Sequence, residues 1–134
     1  MRTYAFDASA LFIYVLKKVS AEKVAQLLKE ANNSRANILM SAVNYGEFYG
    51  TVLRQYSADR AIPIMSAARA LPISLLDATP GRALHAAEIK IKHRLHYSDS
   101  FAAALALEFK ATLVTSDSDF RKLGHGFPIV WLKN

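Results

Sequence analysis

Short apolar runs alternate along this chain with longer segments whose apolar residues recur every three or four positions. The short runs cover residues 4–6, 38–40, 73–76, 113–115 and 129–132. Runs of that length, bounded by turn residues, fit strands buried on both faces. Between them, residues 9–18 place Leu11, Phe12, Val15 and Leu16 at helical spacing, and residues 20–31 do the same with Val24, Leu27 and Leu28. A helix over 42–56 carries the stripe Tyr45, Phe48, Tyr49, Val52, Leu53 and Tyr56. Residues 57–71 form a further helix, in which Pro63 marks a kink or a late start. Thr79-Pro80 opens the next, a cap followed by proline at the first helical position, with Leu84, Ala87, Ile91 and Leu95 as its buried face. The last helix, 101–109, is rich in alanine and suits a tightly packed interior place. This alternation, without repeat, linker or low-complexity segment, predicts one α/β domain over 1–134 with a mainly parallel sheet.

The polar residues at the joints change the picture. Asp7 follows the first strand, Ser41 caps the helix after the second, and Ser98 caps the last helix with Asp99 in its first turn. Thr115-Ser116-Asp117-Ser118-Asp119 ends the fourth strand. Singly, each acid suits an N-cap or the positive end of a helix dipole. Together they imply more. Right-handed crossovers put the strand-to-helix turns of a parallel sheet on one edge, and sites form in the crevice beyond that edge. Glu47 lies on a helix face with Val43, Gly46, Gly50 and Thr51. Two glycines inside a helix cost roughly 1 kcal/mol each, which makes sense if something packs closely there.

Gathered carboxylates raise one another's pKa, and a divalent cation reverses that cost. The chain has no cysteine, and its close histidines, His93 and His96, lie among cations at a helix end. A carboxylate-only set points to Mg²⁺ or Mn²⁺ rather than zinc. The formal charge of +6 favours an anionic partner, of which nucleic acid is the commonest. Lys90, Lys92, His93 and Arg94 cluster near a helix C-terminus. The dipole accounts for part of that cluster, and phosphate contact by Lys90, Lys92 and Arg94 is the sharper reading. The apolar run 8–16 is preceded by Asp7, closed by Lys17 and Lys18, and too short to span a bilayer, so the expectation is a cytoplasmic protein with no membrane segment. Acids plus a basic surface point to a metal-dependent nuclease.

The motifs then resemble those of one family. Asp7-Ala8-Ser9-Ala10-Leu11 is similar to the opening motif of PIN-domain proteins, Asn44-x-x-Glu47 to their second, Tyr97-Ser98-Asp99-Ser100 to their third, and Leu113 through Phe120 to their fourth. Order and spacing match over essentially the whole chain, and the size resembles VapC-type toxins of toxin–antitoxin pairs. The resemblance implies a three-layer sandwich whose central sheet has the order 3-2-1-4-5, and an endoribonuclease using Mg²⁺ or Mn²⁺. It implies Asp7 and Asp99 as direct metal ligands, with Glu47 and Asp117 completing the acidic pocket as ligands or by orienting water. Ser9 and Thr115 are then supporting hydroxyls, and Asp119 is accessory. A homodimer and an antitoxin protein that blocks the pocket are the implied partners beside RNA. The rivals fit less well. A phosphoaspartyl receiver needs paired acids after strand one and a late lysine, and a haloacid-dehalogenase-type enzyme needs Asp-x-Asp where Asp7-Ala8-Ser9 stands. A non-catalytic RNA- or partner-binding module on the same fold has no use for a negative pocket without metal.

Overall fold

The computed structural model describes residues 1–134. The chain runs β1 (Arg2–Phe6), α1 (Ala8–Val15), α2 (Ala21–Asn32), β2 (Ala36–Ser41), α3 (Ala42–Gln55), α4 (Ala58–Arg69), β3 (Ser74–Leu76), α5 (Pro80–His93), α6 (Tyr97–Glu108), β4 (Thr112–Thr115), a 3₁₀ segment (Ser118–Leu123) and β5 (Ile129–Trp131). All four strand pairings are parallel, and the sheet order is β3-β2-β1-β4-β5, as the motifs imply. From β1 the chain moves outward one way to β2 and β3, then returns to the other side for β4 and β5. The order therefore reverses between β1 and β4, where Phe6 pairs with Val114. In open parallel sheets, ligands bind outside the strand ends at that switch.

Helices cover both faces, and the core divides accordingly. One cluster packs α1–α4 on Tyr4, Phe6, Ile38 and Met40. The other packs α5 and α6 on Ala5 and Leu113. The alternation of Tyr4, Ala5 and Phe6 between clusters is the period-2 pleat of a strand buried on both sides. Ala102 to Leu105 are almost fully buried, so α6 is a central interior helix, as its alanine content predicts. No helix is long and apolar enough to cross a membrane.

The helix faces differ from the sequence reading in instructive places. On α5, Leu84 (69% exposed) and Ile91 (78% exposed) face outward, and Ala86 and Ile89 are buried instead. Ala86 and Ile89 join the core cluster of alanine-rich α6, with Ala83 packed against it. Leu95 is buried but lies beyond the helix, after Arg94 in the left-handed region (φ 57°). On α3 only Asn44, Phe48 and Val52 are buried, and Tyr49 and Leu53 are 43% exposed. Nothing approaches within 4 Å of a Cβ built on Gly46 or Gly50, so close packing does not explain these glycines. Pro63 sits inside α4, which begins after its cap Ser57 rather than late. Helix α1 stops at Val15, earlier than predicted, and Lys17 takes a left-handed turn (φ 54°).

Candidate active site

Asp7 leaves the end of β1 and does cap α1, its Oδ1 accepting from the Ala10 amide at 3.1 Å. It does more than cap. Ser9 Oγ donates to Oδ1 at 2.6 Å, and Thr115 Oγ1, from the end of β4, donates to Oδ2 at 2.5 Å. The two hydroxyls also receive the amides of the turn after β4. Ser116 N–H donates to Ser9 Oγ at 2.9 Å and Asp117 N–H to Thr115 Oγ1 at 2.9 Å. Each hydroxyl has one proton, and each commits it to ionised Asp7. The 3.3 Å approach of Ser9 Oγ to Thr115 Oγ1 is then a contact without a shared proton. This web stitches the β1 and β4 turns together at the switch point and ties the Asp117 amide to Asp7 through Thr115.

Asp99 stands in the first turn of α6 and is 7% exposed. Its partners come from the β4 turn: carboxylate oxygens of Asp99, Asp117 and Asp119 lie within 4.8 Å of one another. Asp117 caps the 3₁₀ segment by accepting from the Asp119 amide at 2.9 Å, which fixes the pair. Glu47, exposed on α3, is steered by Ser98 rather than by its own helix. Ser98 Oγ donates to Glu47 Oε2 at 2.9 Å, and Ser98 C=O accepts from buried Asn44 Nδ2 at 2.9 Å. Ser98 is therefore not the cap of α6. That position is His96, which makes no side-chain cap bond. The Asn44-x-x-Glu47 pair instead ties the N-terminal half of α3 to the start of α6. Asn44 Oδ1 and the Tyr45 hydroxyl are buried without partners.

Asp7, Ser9, Glu47, Asp99 and Asp117 line one cleft of about 870 Å³. Thr115 lies beneath it and Asp119 at its side, through Asp7 and Asp117 respectively. The cluster carries its electrostatic signature. Burial pushes Asp7 up to about 6 against its three hydrogen bonds, with the Glu47 charge adding to the rise. Burial, then the charges of Asp117, Glu47 and Asp7, push Asp99 up to about 7. Acids held that far above their ordinary range collect at functional sites. Lys90, Lys92 and Arg94 do not line the cleft. They are exposed at the end of α5, where the Arg94 carbonyl accepts from Lys122 Nζ at 3.1 Å. Sequence reasoning missed Ser98 as a partner of Glu47, and it missed Lys17, Lys18 and Arg54, which also line the cleft. Arg54 follows Glu47 and Thr51 at i+7 and i+3, a helical face that could have been read.

With this geometry in place, the sequence matches the PIN domain family over residues 4–126, and the chain belongs to that family. No sequence among the curated proteins matches it. Solved structures share the fold at low identity. VapBC2 from Rickettsia felis, bound to a DNA fragment from its promoter, superposes with TM-score 0.76 at 15% identity, over 96% of this chain and 97% of that one. VapC20 from Mycobacterium tuberculosis, a sarcin-ricin loop cleaving toxin, gives 0.71 at 15% identity, over 90% and 95%. VapBC-1 from nontypeable Haemophilus influenzae gives 0.68 at 20% identity, over 96% and 97%.

Proposed function

We propose that this protein is a metal-dependent endoribonuclease and the toxin of a toxin–antitoxin pair, acting in the cytoplasm. One observation carries the reading: acids from four separated segments, Asp7, Glu47, Asp99 and Asp117, converge on a single cleft at the switch point of the sheet. PIN-domain proteins are in general metal-dependent ribonucleases, and the similar solved structures include VapBC complexes and a sarcin-ricin loop cleaving toxin.

The donor set suits a hard divalent cation, because every candidate ligand is a carboxylate. Asp99, Asp117 and Asp119 offer oxygens close enough to share one ion. Asp7 contributes less than the motif alone implies. Its Oδ1 already accepts two bonds, so one lone pair on Oδ2 is left beside the Thr115 bond. These residues would hold Mg²⁺ or Mn²⁺, which would supply polarisation of the phosphoryl oxygen and a lowered pKa for a bound water. The chain supplies the rest. Ser98 occupies Glu47 Oε2, leaving Oε1 free to accept a hydrogen bond from the attacking water and hold it in line. Ser9 and Thr115 fix Asp7, and through the Ser116 and Asp117 amides they fix the turn that carries Asp117.

RNA is the proposed substrate, with the exposed Lys90, Lys92 and Arg94 as an outlying backbone contact. A cognate antitoxin and a second copy of the chain are the proposed protein partners. An apolar groove between α3 and α4, lined by Tyr45, Tyr49, Ile62 and Met65, is open to receive one of them. Purified protein is expected to cut single-stranded RNA with Mn²⁺ or Mg²⁺ and to stop on addition of EDTA. RNA loss that persists in chelator would overturn the metal reading.

A milder substitution tests the α3–α6 tie. Ser98→Ala is expected to reduce kcat by about 10- to 100-fold, the usual range for a residue that orients a site group. The stability cost should stay near 1 kcal/mol, as for one exposed hydrogen bond. Ser98→Thr, which keeps the hydroxyl, should restore most of the rate. Equal activity in Ser98→Ala would show that Glu47 needs no steering.

A further inference from the structure

The cleft lining carries charges of both signs. Beside the acidic cluster it includes Lys17 and Lys18, in the turn after α1, and Arg54 in the last turn of α3. These cations do not pair with the acids that share their cleft. The single ion pair of the protein lies elsewhere, between Arg82 and Glu108.

Nor are Lys18 and Arg54 simply solvated tails. Glu47, Thr51 and Arg54 follow one face of α3, where Arg54 Nη2 donates to Thr51 Oγ1 at 3.2 Å and Thr51 Oγ1 donates to the Glu47 carbonyl at 3.1 Å. Seven residues of helix separate Glu47 from Arg54 by about 10 Å along the axis, so the two ends of this face can meet different phosphates of one strand. Lys18 Nζ lies 5.9 Å from the ring centroid of Phe12, which also lines the cleft. Lys17 occupies a left-handed position where glycine is the residue of least cost.

We propose that Lys17, Lys18 and Arg54 grip the RNA backbone beside the scissile phosphodiester, setting its register against the acidic cluster. This rests on the ribonuclease reading above. A phosphodiester held at the acids brings its flanking phosphates with it, and the cleft lining already holds cations without acidic partners to meet them. The same chemistry would suit an acidic protein segment. Continuity of the cations with the reacting end of the cleft favours the polynucleotide. The role is positioning: none of the three reaches the reacting atoms, so their removal acts on binding before chemistry.

The test uses fluorescence anisotropy with a single-stranded RNA oligonucleotide across a salt series, alongside steady-state cleavage with Mn²⁺. The substituted protein is Lys17→Gln/Lys18→Gln/Arg54→Gln. All three positions are exposed, and circular dichroism checks the fold. Each phosphate contact to a single strand contributes about −0.7 to the slope of log K against log salt, so the slope should flatten by about 2. Binding should weaken at least 10-fold, with KM raised and kcat at saturation nearly kept. Lys17→Arg/Lys18→Arg/Arg54→Lys should restore the slope. An unchanged slope with wild-type cleavage intact overturns the proposal and leaves the ribonuclease reading standing. So does flattening seen only in Lys90→Gln/Lys92→Gln/Arg94→Gln. Failure of the unsubstituted protein to bind or cut any RNA overturns both.

Discussion

Asp99→Asn is expected to lose RNA cleavage by about three orders of magnitude while melting at a higher temperature than the unsubstituted protein in EDTA. The two effects have one cause. Asp99 is buried with Asp117 and Asp119 oxygens within 4.8 Å, and its carboxyl is pushed up to about 7. Above that pH the metal-free fold holds a poorly solvated negative charge among like charges. Asparagine keeps the shape, discards the charge, and can donate its amide protons to the acids that opposed it. Relief of about 1–2 kcal/mol corresponds to a rise of several degrees for a chain of this size. The same change removes an anionic ligand, and a thousandfold loss is about 4 kcal/mol of transition-state stabilisation. Activity and thermal melting, measured on one preparation at pH 8, decide it. Full activity would remove Asp99 from the site, and a lower melting temperature would mean that the cluster is not under electrostatic strain.

The strands were legible because burial on both faces forces a continuous apolar run. Residues 4–6, 38–40 and 113–115 all fall within strands of the sheet. The edge of the sheet was legible for a similar reason. Chain direction in a parallel sheet puts every strand-to-helix joint on one side, so Asp7 and Asp117 had to be neighbours once β1 and β4 were. What pattern alone did not carry was the choice between two plausible partners. Leu84 and Ile91 have the helical spacing of a buried face, yet α6 packs on the neighbouring face of α5, with Ala86 and Ile89. Ser98 looked like a cap because it precedes a helix, yet Glu47 of α3 lay within reach and took its hydroxyl. Hydrophobic periodicity reports how much surface is hidden, not against what. Polar side chains choose partners by distance, and those distances exist only after the helices have packed.

Metal should stabilise the protein strongly at pH 8 and hardly at all at pH 5, because protons compete for the same oxygens. Unfolded, Asp7 and Asp99 titrate near 3.9. Folded, burial first and then nearby carboxylate charge (Glu47 for Asp7; Asp117, Glu47 and Asp7 for Asp99) hold them at about 6 and about 7. Between those limits the native state binds more protons than the unfolded one, so the stability of the metal-free protein falls as pH rises from about 4 to about 7 and is level above. Mg²⁺ needs the ionised forms, and its affinity climbs through that window as the protons leave. At a hundred times its dissociation constant, an ion stabilises by about 2.7 kcal/mol. For a domain of this length that is a rise of about 10 °C in Tm. Calorimetry or dye-monitored melting at pH 5, 6, 7 and 8, with excess Mg²⁺ or with EDTA, should give two curves that meet at low pH and separate as pH rises. Asp99→Asn/Asp117→Asn, with two of the clustered carboxylates gone, should erase the separation. A metal effect of equal size at pH 5 and pH 8 would place the ion at groups that stay ionised throughout, and the buried acids would then need another reason to be together.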